Sequence, residues 1–297
     1  MRILIAGGSG FIGEPLVRSL LARGDKVAVL SRSPSQVRAG RGVQWDGRTQ
    51  GGWSQEVIAA DAVINLAGEN VGEGRWTPER KKRLVASRLE ATHAIVEALR
   101  HAPPRARTLI NASAVGYYGA RDDQVLDESG SRGSGFLAGL VEQWETAAQE
   151  AELLARLVIL RFGVALAADG GALKKMMIPF KLGVGGSIGN GRQWMSWIDR
   201  DDATAIVRWA IDRSDVRGLY NATAPEPVRN RDFTRALART LHRPAMVPVP
   251  AFALRLAFGQ MAEEMLLGGQ RVVPRRAEAE GFLFETRTIE QALARHL

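Results

Sequence analysis

The chain opens with a short apolar segment that leads into a glycine cluster and then into a helical pattern of apolar positions. Residues 3–6 are all apolar, as in a parallel strand that is buried on both faces. The next residues are Gly7-Gly8-Ser9-Gly10-Phe11-Ile12-Gly13. After them, apolar residues recur at helical spacing: Leu16, Val17, Leu20 and Leu21. Gly24 follows where a helix would end. The pattern predicts a strand, a tight turn and a helix.

Further along the chain, apolar segments of strand length alternate with longer segments of helical period. The predicted strands are 26–30, 43–46, 62–68, 107–112, 156–161, 193–198 and 218–222. The predicted helices are 77–100, 136–152, 174–182 and 232–241. This alternation predicts an α/β fold with a doubly wound parallel sheet of the Rossmann type. We expect a dinucleotide-binding domain over residues 1–164, to which some later segments return. We expect a smaller substrate-side region over 165–297, with a helical tail from about 243.

The glycine cluster fits both G-x-G-x-x-G and the wider G-x-x-G-x-x-G spacing. One glycine permits the tight turn, one lets the backbone approach a pyrophosphate, and one lets the helix pack against the strand. The helix would point its N-terminus at the turn, where its partial positive charge favours phosphate. An ordinary strand-to-helix turn is the alternative. The context favours a dinucleotide site, with these cofactor-binding residues: Gly7, Gly10, Phe11, Ile12 and Gly13.

The second strand is followed by Ser31 and Arg32, where dinucleotide folds face the adenosine ribose. An acidic residue at this position would hold the free 2′-hydroxyl of NAD, whereas Arg32 suits a 2′-phosphate. The alternative is a solvated surface arginine. The sequence therefore predicts NADP as the cofactor.

Four candidate ligand-binding residues follow predicted strands, namely Gly10, Arg32, Gly68 and Ser113. The carboxyl ends of parallel strands meet at one edge of the sheet, and ligands bind outside that edge. The small residues Ala67 and Gly68 would let the backbone pass close to a cofactor. The sequence thus places one site along one edge.

Composition narrows the class of protein. Hydrophobic residues make up 45% and charged residues 24% of the chain, and cysteine is absent, which is typical of a globular protein of a reducing compartment. There is no apolar run of membrane-spanning length. The first strand begins at residue 2, which leaves no room for a signal peptide. We expect a cytoplasmic protein with no membrane partner.

The net charge of +8 raises the question of nucleic-acid binding. The 34 arginines and 6 lysines are scattered along the chain rather than gathered into one block, and no nucleic-acid motif accompanies them. We expect no nucleic-acid partner. No metal-ligand spacing is present either, so we expect no metal site.

Together these stretches resemble the extended short-chain dehydrogenase/reductases, and most closely an atypical, epimerase-like branch of NADP-binding proteins. The motifs that carry the resemblance are the glycine cluster, Asn65-Leu66-Ala67-Gly68-Glu69-Asn70, Ser87-Arg88-Leu89-Glu90, Ser113-Ala114-Val115-Gly116-Tyr117-Tyr118-Gly119, Ser196-Trp197-Ile198-Asp199 and Gly281-Phe282-Leu283-Phe284. The resemblance implies these further cofactor-binding residues: Ser31 and Arg32 at the 2′-phosphate, Leu66, Ala67 and Gly68 along the cofactor, Arg88, and Phe162, Gly163 and Val164 beside the nicotinamide. It also implies that Ser113 is the catalytic serine, and that a homodimer forms through the two long helices.

The chain departs from that family in its proton relay. Standard members pair the serine with Tyr-x-x-x-Lys, in which lysine helps tyrosine to transfer a proton. The helix from Phe136 has neither residue over its first two turns, and no lysine occurs between Lys82 and Lys174. Possible substitutes are the phenols of Tyr117 and Tyr118, or the following carboxylates: Asp127, Glu128 and Glu142. We take Ser113, Tyr117 and Tyr118 as the candidate catalytic residues.

Two functions fit the sequence. The first is an NADP(H)-dependent, epimerase-like oxidoreductase acting on an unknown small molecule. The second is a non-catalytic NADP(H)-binding or redox-sensing regulatory protein. The missing tyrosine and lysine favour the second, and the intact nicotinamide-side segment favours the first.

Overall fold

The computed structural model describes residues 1–105 and 107–297. Its strands are β1 (Arg2–Ala6), β2 (Lys26–Ser31), β3 (Arg41–Gln44), β4 (Ala62–Asn65), β5 (Thr108–Ala114), β6 (Val125–Leu126), β7 (Arg156–Phe162), β8 (Val164–Ala167), β9 (Trp194–Met195), β10 (Trp197–Asp199), β11 (Gly218–Ala222), β12 (Val228–Arg229) and β13 (Arg271–Val272). Its α-helices are α1 (Gly13–Ala22), α2 (Ser54–Ala59), α3 (Pro78–Arg100), α4 (Phe136–Gln149), α5 (Gly171–Lys181), α6 (Arg200–Asp212), α7 (Asn230–Leu241), α8 (Ala251–Phe258), α9 (Arg275–Ala279) and α10 (Ile289–His296).

A seven-stranded parallel sheet forms the centre of the molecule, in the order β11-β7-β5-β4-β1-β2-β3. The strand order reverses between β1 and β4, and both of these central strands are buried on both faces. One face packs against α1 and α6, and the other against α2, α3 and α4. The predicted doubly wound Rossmann-type sheet is confirmed.

The long helix α3 begins where the sequence predicts. Thr77 caps it by accepting a hydrogen bond from the backbone N–H of Arg80, and Pro78 occupies its first turn. Asp199 likewise caps α6 by accepting from the N–H of Asp201 at 2.8 Å. These caps fix the residues at which the two helices begin.

The predicted strand over residues 193–198 is in fact two strands with different partners. β9 pairs with β12, whereas β10 pairs with β8. Ser196 lies between them, and its hydroxyl donates to the carbonyl of Gln270 while it accepts from the N–H of Val272. The chain turns at Ser196 because the tail strand β13 is hydrogen-bonded to it.

The C-terminal part of the chain packs closely on the sheet domain. α5, α7 and α10 share a core of their own around Trp197, while Phe282 and Phe284 join the main core. α6 and β11 return to the central sheet. The division into regions 1–164 and 165–297 stays a prediction. Over the described residues, the helices lack the length and apolar character needed to cross a bilayer.

Candidate functional site

The glycine turn is held against the loop that follows β4. Gly7 has a φ of +79°, and a Cβ atom there would lie 2.7 Å from the carbonyl oxygen of Leu66. A Cβ at Gly13 would lie 2.2 Å from the carbonyl oxygen of Gly7. A Cβ at Gly10 would lie 3.1 Å from that same oxygen and would meet no other described atom within 4 Å. Gly7 and Gly13 therefore shape the turn, whereas Gly10 is less tightly packed.

The start of α1 is open to a ligand. Its N-cap residue is Ile12, and no side chain among the described residues caps the helix. Phe11 packs against the turn before α5, because Cβ atoms at Gly170 and Gly171 would lie 2.9 and 2.7 Å from its ring. Ile12 packs against the main core. The two apolar side chains fix the loop while its backbone stays available to bind a phosphate.

The end of β2 and the residue after it, Ser31 and Arg32, lie where the adenosine ribose is expected. Ser31 uses its hydroxyl to accept from the N–H of Ser33 at 3.1 Å, which fixes the turn. The backbone carbonyl of Arg32 accepts from the Gln44 amide. The Arg32 side chain is exposed, and no carboxylate of the described residues lies within 4.0 Å of it. Its charge is free to meet an anion.

Arg88 lies against the loop after β4. A Cβ at Gly68 would be 3.1 Å from the centre of the Arg88 guanidinium, which also lies 5.1 Å from the Trp144 ring. One of its N–H groups donates to the carbonyl of Leu84 at 3.0 Å. The nearby Glu69 pairs instead with Arg80, and within the described part of the chain no carboxylate lies within 4.0 Å of Arg88. Burial lowers the pKa of Arg88 to about 10.

A buried polar network holds α3 and α4 to the sheet beside this site. The Asn65 amide donates to the Asn111 carbonyl oxygen at 2.7 Å and to the Thr92 hydroxyl at 3.0 Å. Trp144 on α4 donates to the same hydroxyl at 3.0 Å. The backbone N–H of Ala67 is bound by the Asn65 side-chain oxygen at 3.2 Å. We had not predicted this network, although two asparagines in otherwise apolar strands are a visible signal.

Ser113 lies within a buried ion pair. Its hydroxyl donates to Glu145 of α4 at 2.5 Å. Arg161 of β7 donates two hydrogen bonds to the same carboxylate, at 2.7 and 2.6 Å. Ser113, Glu145 and Arg161 are all nearly inaccessible to solvent. We had considered Glu142 instead, but Glu142 forms a surface pair with Arg132. The sequence contains a signal for the burial of Glu145. It lies four residues after Val141 and seven after Ala138, which places it on the buried face of α4.

The two candidate tyrosines lie in different environments. Tyr118 is fully buried and donates its hydroxyl to the Asn221 side chain at 2.8 Å. Burial raises its pKa above the ordinary value. Tyr117 is partly exposed, and the Arg161 guanidinium lies 3.4 Å from its ring centroid. Tyr118 is thus a buried structural residue, and Tyr117 is the phenol that can meet a ligand.

The two remaining acids considered as proton donors bind other groups. Burial raises the pKa of Glu128, whose carboxylate accepts from the backbone N–H groups of Asn221 and Arg276. Asp127 accepts from the backbone and hydroxyl of Ser129 and pairs with Arg275. Both acids therefore stabilise the loop before α4.

One face of α4, the helix that lacks a tyrosine and a lysine, is apolar and covered. Leu140 and Val141 pack in a cluster with Trp76 and with Met261 from the tail. Glu264 of the tail accepts from the N–H groups of Phe136 and Leu137, both at 2.9 Å. This carboxylate satisfies the N-terminus of α4. The tail therefore covers this face of α4 with apolar contacts and caps its N-terminus.

The segment after β7 passes between the sheet and β10. The Phe162 side chain belongs to the main core. A Cβ at Gly163 would lie 2.7 Å from the carbonyl oxygen of Ser196. The N–H of Val164 donates to that oxygen at 2.8 Å, and its side chain is only partly buried. Glycine is required at position 163 because the segment after β7 and the segment at Ser196 approach each other too closely for a side chain.

No group of three or more His, Cys, Asp or Glu side chains within residues 1–105 and 107–297 is arranged to hold a metal ion. The candidate residues instead gather along the carboxyl edge of the sheet: Gly10, Arg32, Leu66, Gly68, Arg88, Ser113, Tyr117 and Gly163. The fold and this edge define a Rossmann-type protein of the short-chain dehydrogenase/reductase kind.

Comparison with known proteins agrees with this class. The model of the NAD dependent epimerase/dehydratase family matches residues 3–222, and a domain of unknown function, DUF1731, matches residues 249–295. The chain is 40% identical to the epimerase family protein Mb2239 of Mycobacterium bovis, over 98% of this chain and 96% of that one. It is 38% identical to the epimerase family protein SDR39U1 of Bos taurus, over 99% and 98% of the two chains.

A solved structure shows the same similarity. The crystal structure of human epimerase family protein SDR39U1 (isoform 2) with NADPH superposes with a TM-score of 0.90 at 34% identity, covering 100% of this chain and 99% of that one. This chain belongs to the NAD dependent epimerase/dehydratase family. The predicted resemblance to its atypical, epimerase-like branch is confirmed.

Proposed function

We propose that this protein binds NADP(H) along the carboxyl edge of its sheet and acts as an epimerase-like oxidoreductase on a small molecule. The observation that carries the cofactor assignment is Arg88. A desolvated guanidinium without a carboxylate partner is unfavourable, and its place beside the glycine turn suits a phosphate. The family of the chain, and the human relative that was crystallised with NADPH, support the same assignment.

The residues of the edge fit each part of this cofactor. The absence of a side chain at Gly10 and the uncapped start of α1 suit the pyrophosphate. The exposed Arg32 suits the 2′-phosphate. Gly163 and Val164 suit the nicotinamide side. When bound, the cofactor would supply or accept a hydride.

For the chemistry, Tyr117 is the best proton donor that the edge offers, since Tyr118 is buried and hydrogen-bonded to Asn221. Arg161 stacks on Tyr117, and Glu145 holds Arg161 in place. The Ser113 hydroxyl donates its hydrogen bond to Glu145, so its oxygen can accept a hydrogen bond from a substrate hydroxyl. We assign orientation to Ser113 and proton transfer to Tyr117.

A regulatory NADP(H)-binding protein is the second candidate function. The observations that favour it are the absence of a tyrosine and a lysine from α4 and the apolar, tail-covered face of that helix. The two candidates differ in turnover: a regulator binds the cofactor without oxidising it. The cytoplasmic location, the homodimer and the absence of a nucleic-acid partner stay predictions.

The test of the cofactor assignment is a fluorescence titration with NADPH and with NADH. We expect NADPH to bind about ten- to a hundredfold more tightly, because one charge-assisted hydrogen bond contributes about 1.5–3 kcal/mol. Arg32→Ala should remove this preference by weakening NADPH alone. Arg38→Ala is the matched control, since Arg38 is also exposed and lies just beyond β2. Equal affinities in the wild type, or a preference that survives in Arg32→Ala, would overturn the assignment.

A further inference from the structure

An unusual number of large apolar side chains is exposed where α5, the following loop and α8 lie together. We call this region the α5–α8 surface and define it by Ile178, Leu182, Val184, Met246, Phe252 and Leu256. Leu182, Met246 and Phe252 are 73%, 81% and 71% exposed. Single exposed apolar residues are ordinary, but a continuous exposed group marks a binding surface.

Backbone hydrogen bonds join the segments of this surface. The N–H of Val184 donates to the carbonyl of Pro179 within α5 at 2.9 Å. The N–H of Val247 donates to the carbonyl of Gly185 at 3.0 Å, and that of Val249 to Ser187 at 2.8 Å. α8 begins two residues after Val249. The loop after α5 therefore runs beside the segment that leads into α8, which brings the two exposed apolar groups next to each other in the fold.

The charge of this surface is mainly positive. Residues 170–192 contain three lysines and one arginine and no acidic residue. Residues 242–262 contain Arg243 and Arg255, of which Arg255 pairs with Glu263 just beyond α8. Lys175, Lys181 and Arg243 are exposed. None of these three has a carboxylate within 4.0 Å in the part of the chain that the structure describes. Half of the six lysines of the protein lie on α5. The surface is therefore both apolar and cationic.

We propose that the α5–α8 surface docks the protein onto an anionic lipid bilayer. A bilayer surface offers phosphate groups directly above hydrocarbon, which matches apolar side chains surrounded by lysines whose long stems reach the headgroups. No membrane-spanning helix is needed. The proposal departs from the expectation of no membrane partner, which considered only spanning segments. The proposal does not depend on the proposed cofactor.

A second copy of this chain is a poorer occupant. A two-fold interface places the same patch on both sides. The lysines of α5 would then face those of the partner copy without any acid to separate them, and like charges at close range repel. An anionic surface, by contrast, attracts every one of these cations.

The test is co-sedimentation with large unilamellar vesicles of phosphatidylcholine alone, or of phosphatidylcholine with about 30% phosphatidylglycerol. We expect binding only to the anionic vesicles, weakening strongly when salt is raised to about 0.5 M. Each lysine near such a surface contributes about a fivefold factor in partitioning. Lys175→Glu with Lys181→Glu should therefore reduce binding by at least about twenty-five-fold. Leu182→Ser with Phe252→Ser should reduce it comparably.

Matched controls carry the same changes elsewhere. Leu153 and Leu283 are 99% and 84% exposed but lie outside the surface, so Leu153→Ser with Leu283→Ser should bind vesicles as the wild type does. Lys26→Glu with Lys82→Glu controls for net charge. NADPH affinity, measured in parallel, should be unchanged in all variants, which separates this test from that of the cofactor. Absence of vesicle binding, or equal loss in the controls, overturns the proposal. A dimer that only Leu182→Ser with Phe252→Ser dissociates, without vesicle binding, assigns the surface to self-association instead.

Discussion

At the scale of the residue, the site contains two arginines with opposite surroundings: Arg161 is buried and Arg88 is half-buried. Arg161 forms a bidentate pair with Glu145, and the hydrogen bonds and charge of that carboxylate raise its pKa despite burial. Arg88 has no carboxylate partner among the described residues, and the partial burial of its guanidinium lowers its pKa. A buried cation with its counter-ion is a fixed structural element, whereas one without it is prepared to bind an anion. The two residues thus differ in role for an electrostatic reason.

Replacing Arg88 by methionine should weaken NADPH binding and stabilise the free protein. Methionine keeps the aliphatic packing against Trp144 and removes the desolvated charge. We expect NADPH to bind ten- to a hundredfold more weakly, by about 1.5–3 kcal/mol. The free protein should become more stable by about 1–2 kcal/mol, because the substitution removes the cost of desolvating the guanidinium. The gain is no larger because this guanidinium keeps part of its hydration. Urea unfolding without the cofactor and a fluorescence titration with it measure the two effects. A variant that loses stability and keeps its affinity would show that Arg88 is structural.

At the scale of the element, the glycines of the turn between β1 and α1 have different structural roles. Gly7 adopts a conformation that side chains rarely adopt, and Gly13 lets α1 pack against the turn. Gly10 has a free side toward the carboxyl edge. Among the described glycines of this turn, Gly10 is the one where an added side chain disturbs the protein's own packing least, through one close contact with the Gly7 carbonyl oxygen.

Gly10→Val should therefore separate folding from binding. The added atoms would occupy the space where the turn must approach a pyrophosphate. We expect a native far-UV circular dichroism spectrum and a loss of NADPH affinity of at least about a hundredfold, about 3 kcal/mol. Gly52→Val is the control, because a Cβ there meets nothing within 4 Å, and it should bind normally. A folded Gly10→Val protein that still binds NADPH would mean that the turn has no ligand.

At the scale of the whole molecule, the C-terminal tail completes the site. Glu264 caps α4, Met261 fills the apolar cluster on that helix, and β13 pairs with β6 beside the tyrosines. Asp202 of α6 accepts from the N–H groups of Glu285 and Thr286, both at 3.0 Å. Tail and sheet domain therefore form one packed unit, and the missing tyrosine and lysine leave no empty space.

This arrangement predicts slow chemistry with common substrates. Hydride transfer to a carbonyl leaves an alkoxide that needs a proton, and a positioned general acid typically contributes 10²–10⁴-fold, about 3–5 kcal/mol. We expect tight NADPH binding with little or no oxidation across aldehydes, ketones and sugar nucleotides, followed as loss of NADPH absorbance. Any activity should fall at least about a hundredfold in Ser113→Ala and Tyr117→Phe. Fast turnover that is unaffected in both variants would place the active site elsewhere, and no turnover with any substrate favours the regulatory function.

Much of the fold was predictable because its signals are local. The buried strands appear in the sequence as continuous apolar runs, and Thr77 marks the start of α3. The spacing of the glycines after β1 indicates a tight turn between a strand and a helix. The strand ends then placed Gly10, Arg32 and Ser113 at one edge, since parallel strands share their direction. The lack of a tyrosine and a lysine on α4 can also be seen in the sequence alone.

The sequence by itself therefore determined the Rossmann-type sheet, its family and the edge that carries the site. Only the tertiary structure decided what each polar group at that edge is free to do. Whether Ser113 meets Glu145, whether Tyr117 or Tyr118 stays accessible, and whether Arg88 has a counter-ion depend on contacts between residues far apart in the chain. The reason is physical: periodicity reports which face of an element is buried, while charge pairing and solvent access are set by the elements that pack against it.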